Sequence, residues 1–547
     1  MKKKIPSILL LILLTSVVSL SPSSESYSKK MTQTTPGDLL TVSCSNLYPC
    51  LGEPISLIIT IEGKSQNRFN QTISITDNFT GLEAVDGEII KCSGTVAVDQ
   101  INISIGPLPR YTRKVTWYPS IVGNHTFHVK AGAVSEMLLN ISVVFDVEGI
   151  ITPSLGYPAI IVKEETSPLA ITVSEERTQT QAPLEITHLK LESIDAAASY
   201  PLENQTGAWR TWVRSSRDSI KEELTVYYST DSVPEGFYNL SLTTQKTTYK
   251  WPHAVQIINS TPTNYTIVQF SDTHIGKYAY PVNKKKELIR LITYMNEQIH
   301  PNLVILSGDS VDWYNQRTQR NVYLDLQEAL LHCNAPVFTT PGNHERYGNS
   351  LLHLYYPFKN LTAYHRFLNP LNDYSIIQGN NNLVFLDSGY DYSRWEIQPK
   401  IWLQSPEGSG LTATQIYLLE NLWGDAQKNQ LIIMHHPAVN DVNDTGFGAL
   451  PNTLPSGNNE CIAMNRGAFI SYCENFNVSL VLTGHTHENH VFTSLGKEVE
   501  NTTAWPLFIQ TDSSTMSGKN NGGRLIQINN STVISYDYLA FSSSDFF

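Results

Sequence analysis

Leu480-Val481-Leu482-Thr483-Gly484-His485-Thr486-His487 is the stretch on which the reading of this chain turns. A short apolar run stops at a glycine, and two histidines follow, one residue apart. An apolar run with no polar alternation suits a strand covered on both faces, as in parallel sheets. Four other stretches repeat the layout. Residues 265–270 run into Ser271-Asp272-Thr273-His274, and 303–306 into Ser307-Gly308-Asp309-Ser310-Val311-Asp312. Residues 337–340 lead to Gly342-Asn343-His344-Glu345, and 431–434 lead to His435-His436-Pro437. Helical apolar stripes lie between most of them, predicted over 284–298, 322–332 and 468–476. A further helix is predicted to run from the capping box Thr412-Ala413-Thr414-Gln415 to about 427. Strand, polar loop and helix in repetition argue for an α/β sheet with helices on its faces.

Loops at the carboxyl ends of such strands gather at one rim, where ligands bind. The sequence therefore predicts that Asp272, His274, Asp309, Asn343, His344, His435, His485 and His487 meet there, although 215 residues separate the first from the last. Each cluster alone has an ordinary explanation: a turn residue and a surface histidine, a capping asparagine, a satisfied core histidine. Five of them in order, each at a strand end, do not. Carboxylate, imidazole and amide oxygen together suit iron, manganese or zinc better than copper(I) or calcium.

Outward from this core the texture changes. Residues 39–148 alternate apolar and polar positions between turn signals, as in Ser56-Leu57-Ile58-Ile59-Thr60-Ile61, and read as a β-sandwich of immunoglobulin-like strand texture. Residues 149–260 read as a second β-rich domain, and 261–547 as the α/β domain. The tail beyond Pro506 returns to strands and is expected to close the second sheet of that domain. Three domains also fit the length, since single cores stop growing near 250–300 residues.

Lys2, Lys3 and Lys4 precede an apolar run to Leu20 and a Ser-rich stretch, the layout of a secretory signal peptide over 1–22. The alternative is an uncleaved signal anchor. Residues 23–38 read as a linker. Export agrees with the dense Asn-x-Ser/Thr sequons, among them Asn70, Asn78, Asn102, Asn124, Asn140, Asn204, Asn239, Asn259 and Asn264. Among the six cysteines, Cys461 and Cys473 stand close enough in sequence to pair, and Cys333 reads as a lone buried thiol; pairing is not deducible from spacing. No Cys-x-x-Cys occurs, which sets aside a thiolate zinc or redox site. The formal charge of −12 gives no electrostatic footprint for nucleic acid, so no nucleic-acid polymer is expected as a partner. The β-domains suit contact with a cell surface or a glycan.

The five motifs, Asp272-Thr273-His274, Gly308-Asp309-Ser310-Val311-Asp312, Gly342-Asn343-His344-Glu345, His435-His436-Pro437 and Gly484-His485-Thr486-His487, resemble those of the calcineurin-like metallophosphoesterase superfamily. The resemblance covers about 260–540. It implies a four-layer α/β/β/α sandwich and two metal ions, divalent or mixed-valence, drawn from manganese, iron and zinc. Carried over residue by residue, Asp272, His274 and His487 would hold one metal, Asn343, His435 and His485 the other, and Asp309 would bridge. A metal-bridging hydroxide would attack a phosphomonoester or phosphodiester, with His344 as general acid and Asp312 orienting it. His436 and Glu345 would be neighbours rather than ligands. The sequence departs from the purple acid phosphatases, which place an iron(III)-binding tyrosine where Asp312 stands; Tyr314 is two residues further on. Loops at about 346–380 and 388–410, with His365, His490, Arg346 and Tyr347, are where substrate choice would reside. An exported adhesion protein on a phosphoesterase-like scaffold, a sphingomyelinase-like hydrolase and a nucleotide-directed hydrolase stay open as alternatives.

Overall fold

The computed structural model describes residues 33–34, 38–63, 69–105, 110–131, 135–178, 180–276, 283–312, 316–346, 361–389, 391–392, 407–424, 427–441, 461–500, 504–515 and 521–541. The expected signal peptide, most of the expected linker, Tyr314 and Tyr347 lie outside them. Within the linker stretch, Gln33–Thr34 pairs antiparallel with Asp38–Cys44.

The α/β region carries eleven strands that matter for the site. They are β1 (Asn264–Phe270), β2 (Leu303–Ser307), β3 (Val337–Thr340), β4 (Tyr374–Gln378), β5 (Asn381–Phe385), β6 (Asn429–Ile433), β7 (Val478–Thr483), β8 (His490–Thr493), β9 (Leu507–Gln510), β10 (Asn521–Asn529) and β11 (Thr532–Phe541). The helices are α1 (Lys284–Tyr294), α2 (Gln316–Leu330), α3 (Thr362–Phe367), α4 (Ala413–Leu418) and α5 (Arg466–Asn475). One sheet runs β3-β2-β1-β10-β11, the other β8-β9-β7-β6-β5-β4. In the first, β1, β2 and β3 are parallel; in the second, β5, β6, β7 and β9 are.

The uninterrupted apolar reading of these strands has a plain cause. Ile267, Leu303, Ile305 and Phe338 share one core with Leu383, Phe385, Leu431, Ile433, Leu480, Leu482 and Ile509, so the inner faces of the two sheets meet. Their alternate neighbours turn the other way. Val268, Phe270, Val304 and Leu306 pack with Leu288, Leu291, Ile292 and Leu326 of α1 and α2. Val384, Ile432 and Val481 pack with Leu418, Trp423 and Phe469. Each such side chain contributes roughly 1.5–3 kcal/mol on burial, so both faces of every central strand must be apolar.

Two expectations shift. The Thr412 capping box is present, but α4 passes into a π-helical turn, Leu419–Trp423, rather than continuing to 427. The tail splits between the sheets instead of closing the second. Only β9 joins the second sheet; β10 pairs antiparallel with β1, and β11 antiparallel with β10. Without β10 the flank of β1 would leave buried backbone groups unpaired, and that pairing wins. Cys461 and Cys473 are both buried and form no disulfide with each other.

Residues 33–260 are built of strands, with one short 3₁₀ turn among the described residues. Asp38–Cys44, Ile55–Gly63 and Arg110–Trp117 form one sheet, while Phe69–Val85, Glu88–Ile105, Val122–Ala131 and Ser135–Val143 belong to another. Their facing residues, such as Leu57 and Ile59 with Ile73 and Phe127, share a core. Strands between Gly149 and Ile258 form two more sheets, joined through Ile171, Val226, Leu191 and Leu240. The sheet of Phe69–Val85 is continuous with β4: Val85 pairs with Ser375, and Asp86 N donates to Ser375 O at 2.8 Å. Among the described residues no helix is long and apolar enough to cross a membrane.

Candidate active site

Each expected ligand, with His344 and Asp312, stands just after a strand, and the structure brings these residues to one rim. Asp272 and His274 follow β1, Asp309 and Asp312 follow β2, Asn343 and His344 follow β3, His435 follows β6, and His485 and His487 follow β7. The backbone there is unusual. Asp272, His274, Asp309, His485 and His487 all have positive φ, between 44° and 71°. Non-glycine residues rarely adopt this region, and runs of them mark functional sites where surrounding structure holds the strain. Gly308, at φ 88°, lets the chain pass His435; a Cβ there would stand 2.5 Å from the ring nitrogen Nδ1.

Asp272, His274 and His487 converge. His274 Nε2 lies 3.1 Å from His487 Nε2, 3.8 Å from Asp272 Oδ1, and His487 Nε2 is 3.2 Å from that same oxygen. The other oxygen, Oδ2, takes the Ser271 hydroxyl at 2.6 Å and the His485 N–H at 3.0 Å. Oδ1 is buried and accepts no hydrogen bond. Burial and the imidazole of His344 hold His274 down to about 3, so its ring is neutral. A neutral ring nitrogen, a second ring nitrogen and an orphaned carboxylate oxygen facing one another fit a cation between them. Ligands about 2.1 Å from one ion stand about 3 Å apart.

His435 repeats the argument. Its Nδ1 meets the carbonyl of Ser307 at 2.9 Å, so Nδ1 carries the proton in the neutral ring. The lone pair on Nε2 then faces Asn343 Oδ1 at 2.9 Å and Asp309 Oδ1 at 3.3 Å, both acceptors. Positive charge is required there. Burial alone would lower the His435 pKa, but Asp309 and Asp272 override it and push it to about 10. In a metal-loaded site a cation would take the proton's place. Asp309 sits between the clusters and groups both with Asp272 and His435 and with His274 and His344. Burial raises its carboxyl, but His344, His435 and His274 more than offset this and hold it well below the usual range.

His485 lies edge-on to His435 and tilted against His436, with ring centroids 5.2 and 4.4 Å away. His436, set aside on sequence, offers a nitrogen within 4.8 Å of donor atoms on His435 and His485. Its Nδ1 lies 2.9 Å from the Ser388 hydroxyl. His344 Nδ1 is 3.0 Å from Asp312 Oδ1, and its Nε2 is 3.6 Å from Asp309 Oδ2. The His344 side chain keeps 17% exposure and that of His487 25%, so the rim opens beside them while Asp272, His274, Asp309 and His435 stay buried.

Glu345 has a larger role than its sequence position suggests. Its buried carboxylate accepts from four backbone N–H groups: Ser310 and Val311 on Oε1 at 2.7 and 3.2 Å, Gly342 and Asp309 on Oε2 at 2.7 and 3.0 Å. It thereby ties the β2 loop to the β3 loop. Three other named residues fall outside the cluster or at its margin. His365 is buried, with Nδ1 2.7 Å from Asp146 Oδ1, and joins the N-terminal half to the α/β half. Arg346 pairs with Asp387, both buried. His490 contacts Glu488 and Glu498. Asp373, which no motif signalled, accepts from Asp387 N and Gln415 Nε2, both at 2.7 Å.

Buried carboxylates, imidazoles and an amide oxygen converging at the carboxyl rim of parallel strands define a metal-type hydrolytic site. The sequence model of the calcineurin-like phosphoesterase family matches residues 265–489, which span this site from β1 to the loop after β7. The chain therefore carries a calcineurin-like phosphoesterase domain, which makes it a hydrolase acting on phosphoric esters. Comparison with curated proteins found no match. Similar solved structures include the CARDB domain of a Pyrococcus furiosus protein (14% identity, 22% of this chain and 98% of that one, TM-score 0.15). A Listeria innocua β-glucosidase (13%, 22% and 16%, 0.15) and the titin Ig tandem domains A164-A165 (14%, 41% and 98%, 0.18) are others.

Proposed function

We propose that the protein is an exported, dinuclear metal-dependent phosphoester hydrolase acting on phosphomonoesters or phosphodiesters, built on a four-layer α/β/β/α domain behind two β-sandwich-like domains. One observation carries the dinuclear reading. Two sets of ligand-type atoms converge, one at Asp272, His274 and His487, the other at Asn343, Asp309 and His435, and Asp272 Oδ1 within the first is buried with no hydrogen bond. Asp309 lies between the sets. Asp272, His274 and His487 would hold one cation, Asn343, His435 and His485 the other, with Asp309 shared. Manganese, iron and zinc suit these donors. Bound there, two cations would offset charge on the phosphoryl oxygens and lower the pKa of a water.

The chain's own residues do the rest. His344 stands at the open side of the site with its Nδ1 against Asp312, so Asp312 fixes the ring and leaves Nε2 facing the cleft. That nitrogen is placed to give a proton to a leaving alkoxide. Glu345 keeps the Asp309 and Asn343 loops in register, and Ser271 orients Asp272. The facing inner sheets anchor the strands from which these loops spring.

The test is direct. Purified protein, stripped of metal and refilled with manganese, iron or zinc, should bind about two ions per chain. It should then hydrolyse bis(p-nitrophenyl) phosphate or p-nitrophenyl phosphate. Tight binding of a single ion would refute the dinuclear reading, and no turnover with any of these metals would refute the hydrolase.

A further inference from the structure

The N-terminal sequons are not scattered in the fold. Asn78, Asn102, Asn124 and Asn140 lie on one sheet, that of Phe69–Val85, Glu88–Ile105, Val122–Ala131 and Ser135–Val143. The pairing register puts each beside a hydroxyl of the adjoining strand: Asn102 against Thr72, Asn78 against Thr95, Asn124 against Ser142, and Asn140 against Thr126. Side chains alternate across a strand, so these positions share the face opposite the buried Ile73, Ile75, Phe127, Val129, Leu139 and Ile141. In all four pairs the hydroxyl donates to the amide oxygen Oδ1, at 2.8 Å for Thr72–Asn102 and Thr95–Asn78, and 3.1 Å for Ser142–Asn124 and Thr126–Asn140.

The amide nitrogens separate the four. Asn78 is half-buried, and its Nδ2 is engaged at 2.9 Å with His128 Nε2. Asn102, Asn124 and Asn140 are exposed. Asn140 stands on Ser135–Val143, the outermost strand of the ten-stranded sheet. Asn124 lines a groove of about 340 Å³ together with Lys91 of this sheet and Thr211 and Trp212 of the second β-unit. Trp212 is 55% exposed, an unusual state for a tryptophan in a folded chain.

We propose that this sheet face is a glycan-bearing surface, with N-linked oligosaccharides on Asn102, Asn124 and Asn140 and none on Asn78. The proposal rests on the export read from the N-terminus. In the transfer, the amide Nδ2 loses a proton and bonds to C1 of the first sugar of a lipid-linked oligosaccharide. The bond from C1 to the lipid pyrophosphate breaks, and the lipid pyrophosphate leaves with the proton accounted for by the transferase base. On Asn78 the same bond would cost the His128 contact and force a sugar into a half-buried position. The Asn140 glycan would stand beside the outer strand just where Leu47 O begins to cover its edge through Ser142 N, at 2.9 Å. The Asn124 glycan would start inside the groove and lie over Trp212.

The test is glycopeptide mapping of protein isolated from the cells that naturally make it, with enzymatic deglycosylation in ¹⁸O water to mark each occupied asparagine. Asn102, Asn124 and Asn140 should be labelled and Asn78 should not. Unlabelled sequons at all three, or Asn78 labelled as fully as the others, would overturn the proposal. Hydroxyl-radical footprinting gives a second measure. Oxidation of Trp212 should rise severalfold in Asn124→Gln made in the same cells, while Asn102→Gln leaves it unchanged. Equal Trp212 oxidation in all three proteins would refute the groove-covering part.

Discussion

Replacing Glu345 by glutamine tests the architecture of the site without touching a proposed ligand. The carboxylate takes four backbone N–H donors, two on each oxygen. Glutamine keeps one acceptor oxygen and turns the other into a donor. Two of the four buried N–H groups therefore lose their acceptor, whichever way the amide lies. Each orphaned group costs about 1–3 kcal/mol, so the loops of Asp309 and Asn343 lose about 2–6 kcal/mol. A loss of about 4 kcal/mol lowers Tm by about 3–4 °C when the whole chain melts as one unit. A displacement of Asp309 near 1 Å would cost about 100-fold in turnover. The assay is a metal titration of stripped Glu345→Gln with manganese, followed by turnover of bis(p-nitrophenyl) phosphate and a thermal melt. Weaker metal retention, a lowered Tm and a large fall in kcat are expected. Turnover within about threefold of the parent, with metal content unchanged, would refute the claim that this carboxylate holds the site together.

His344→Ala should keep both metals and lose about 10²- to 10³-fold in kcat, read by metal analysis beside steady-state kinetics; loss of metal would instead make it a ligand. Chelation should lower Tm, because Asp272 and Asp309 are then left buried without a cation, and refilling at 100 times Kd should restore about 2.7 kcal/mol. Burial and the Asp387 charge raise Asp373 to about 8. The folded state thus holds a proton that the unfolded state releases, so this group's stabilisation is complete below about pH 4 and is lost as pH rises toward 8. Asp373→Asn keeps the acceptor oxygen and should flatten the fall of Tm between pH 5 and 8; an unchanged slope would show that Asp373 does not titrate there.

The candidate site was largely legible because each residue sits at the end of an apolar run, and strand ends in a parallel sheet share a rim. Residues whose role depends on distant partners were not. Asp373 and Asp387 belong to no motif, and they matter only because β4 and β5 bring them beside Arg346 and Gln415. His436, read through the resemblance as a neighbour of the ligands, lies with its ring 4.4 Å from that of His485, a proximity that depends on two distant strand ends. Glu345 was seen as a neighbour, but its four N–H partners come from two loops more than 30 residues apart in sequence. The tail misled because β9, β10 and β11 all read as strands and follow one another in the chain. Nothing in their composition says that β10 must satisfy the backbone of β1, on a different sheet from β9.

The sheet that passes from β4 into Phe69–Val85 bears on how the chain comes apart. A hydrogen-bonded seam, with Ile377 N also donating to Asp86 Oδ1 at 2.9 Å, couples the first β-unit to the hydrolase core. Tyr157 reinforces it from the second unit, its ring 4.5 Å from that of Tyr374. Cutting the chain at residue 261 would bare the flank of β4 and strip the cover from Tyr374. The three regions are therefore not interchangeable cassettes, and heating should melt them together, in a single calorimetric transition.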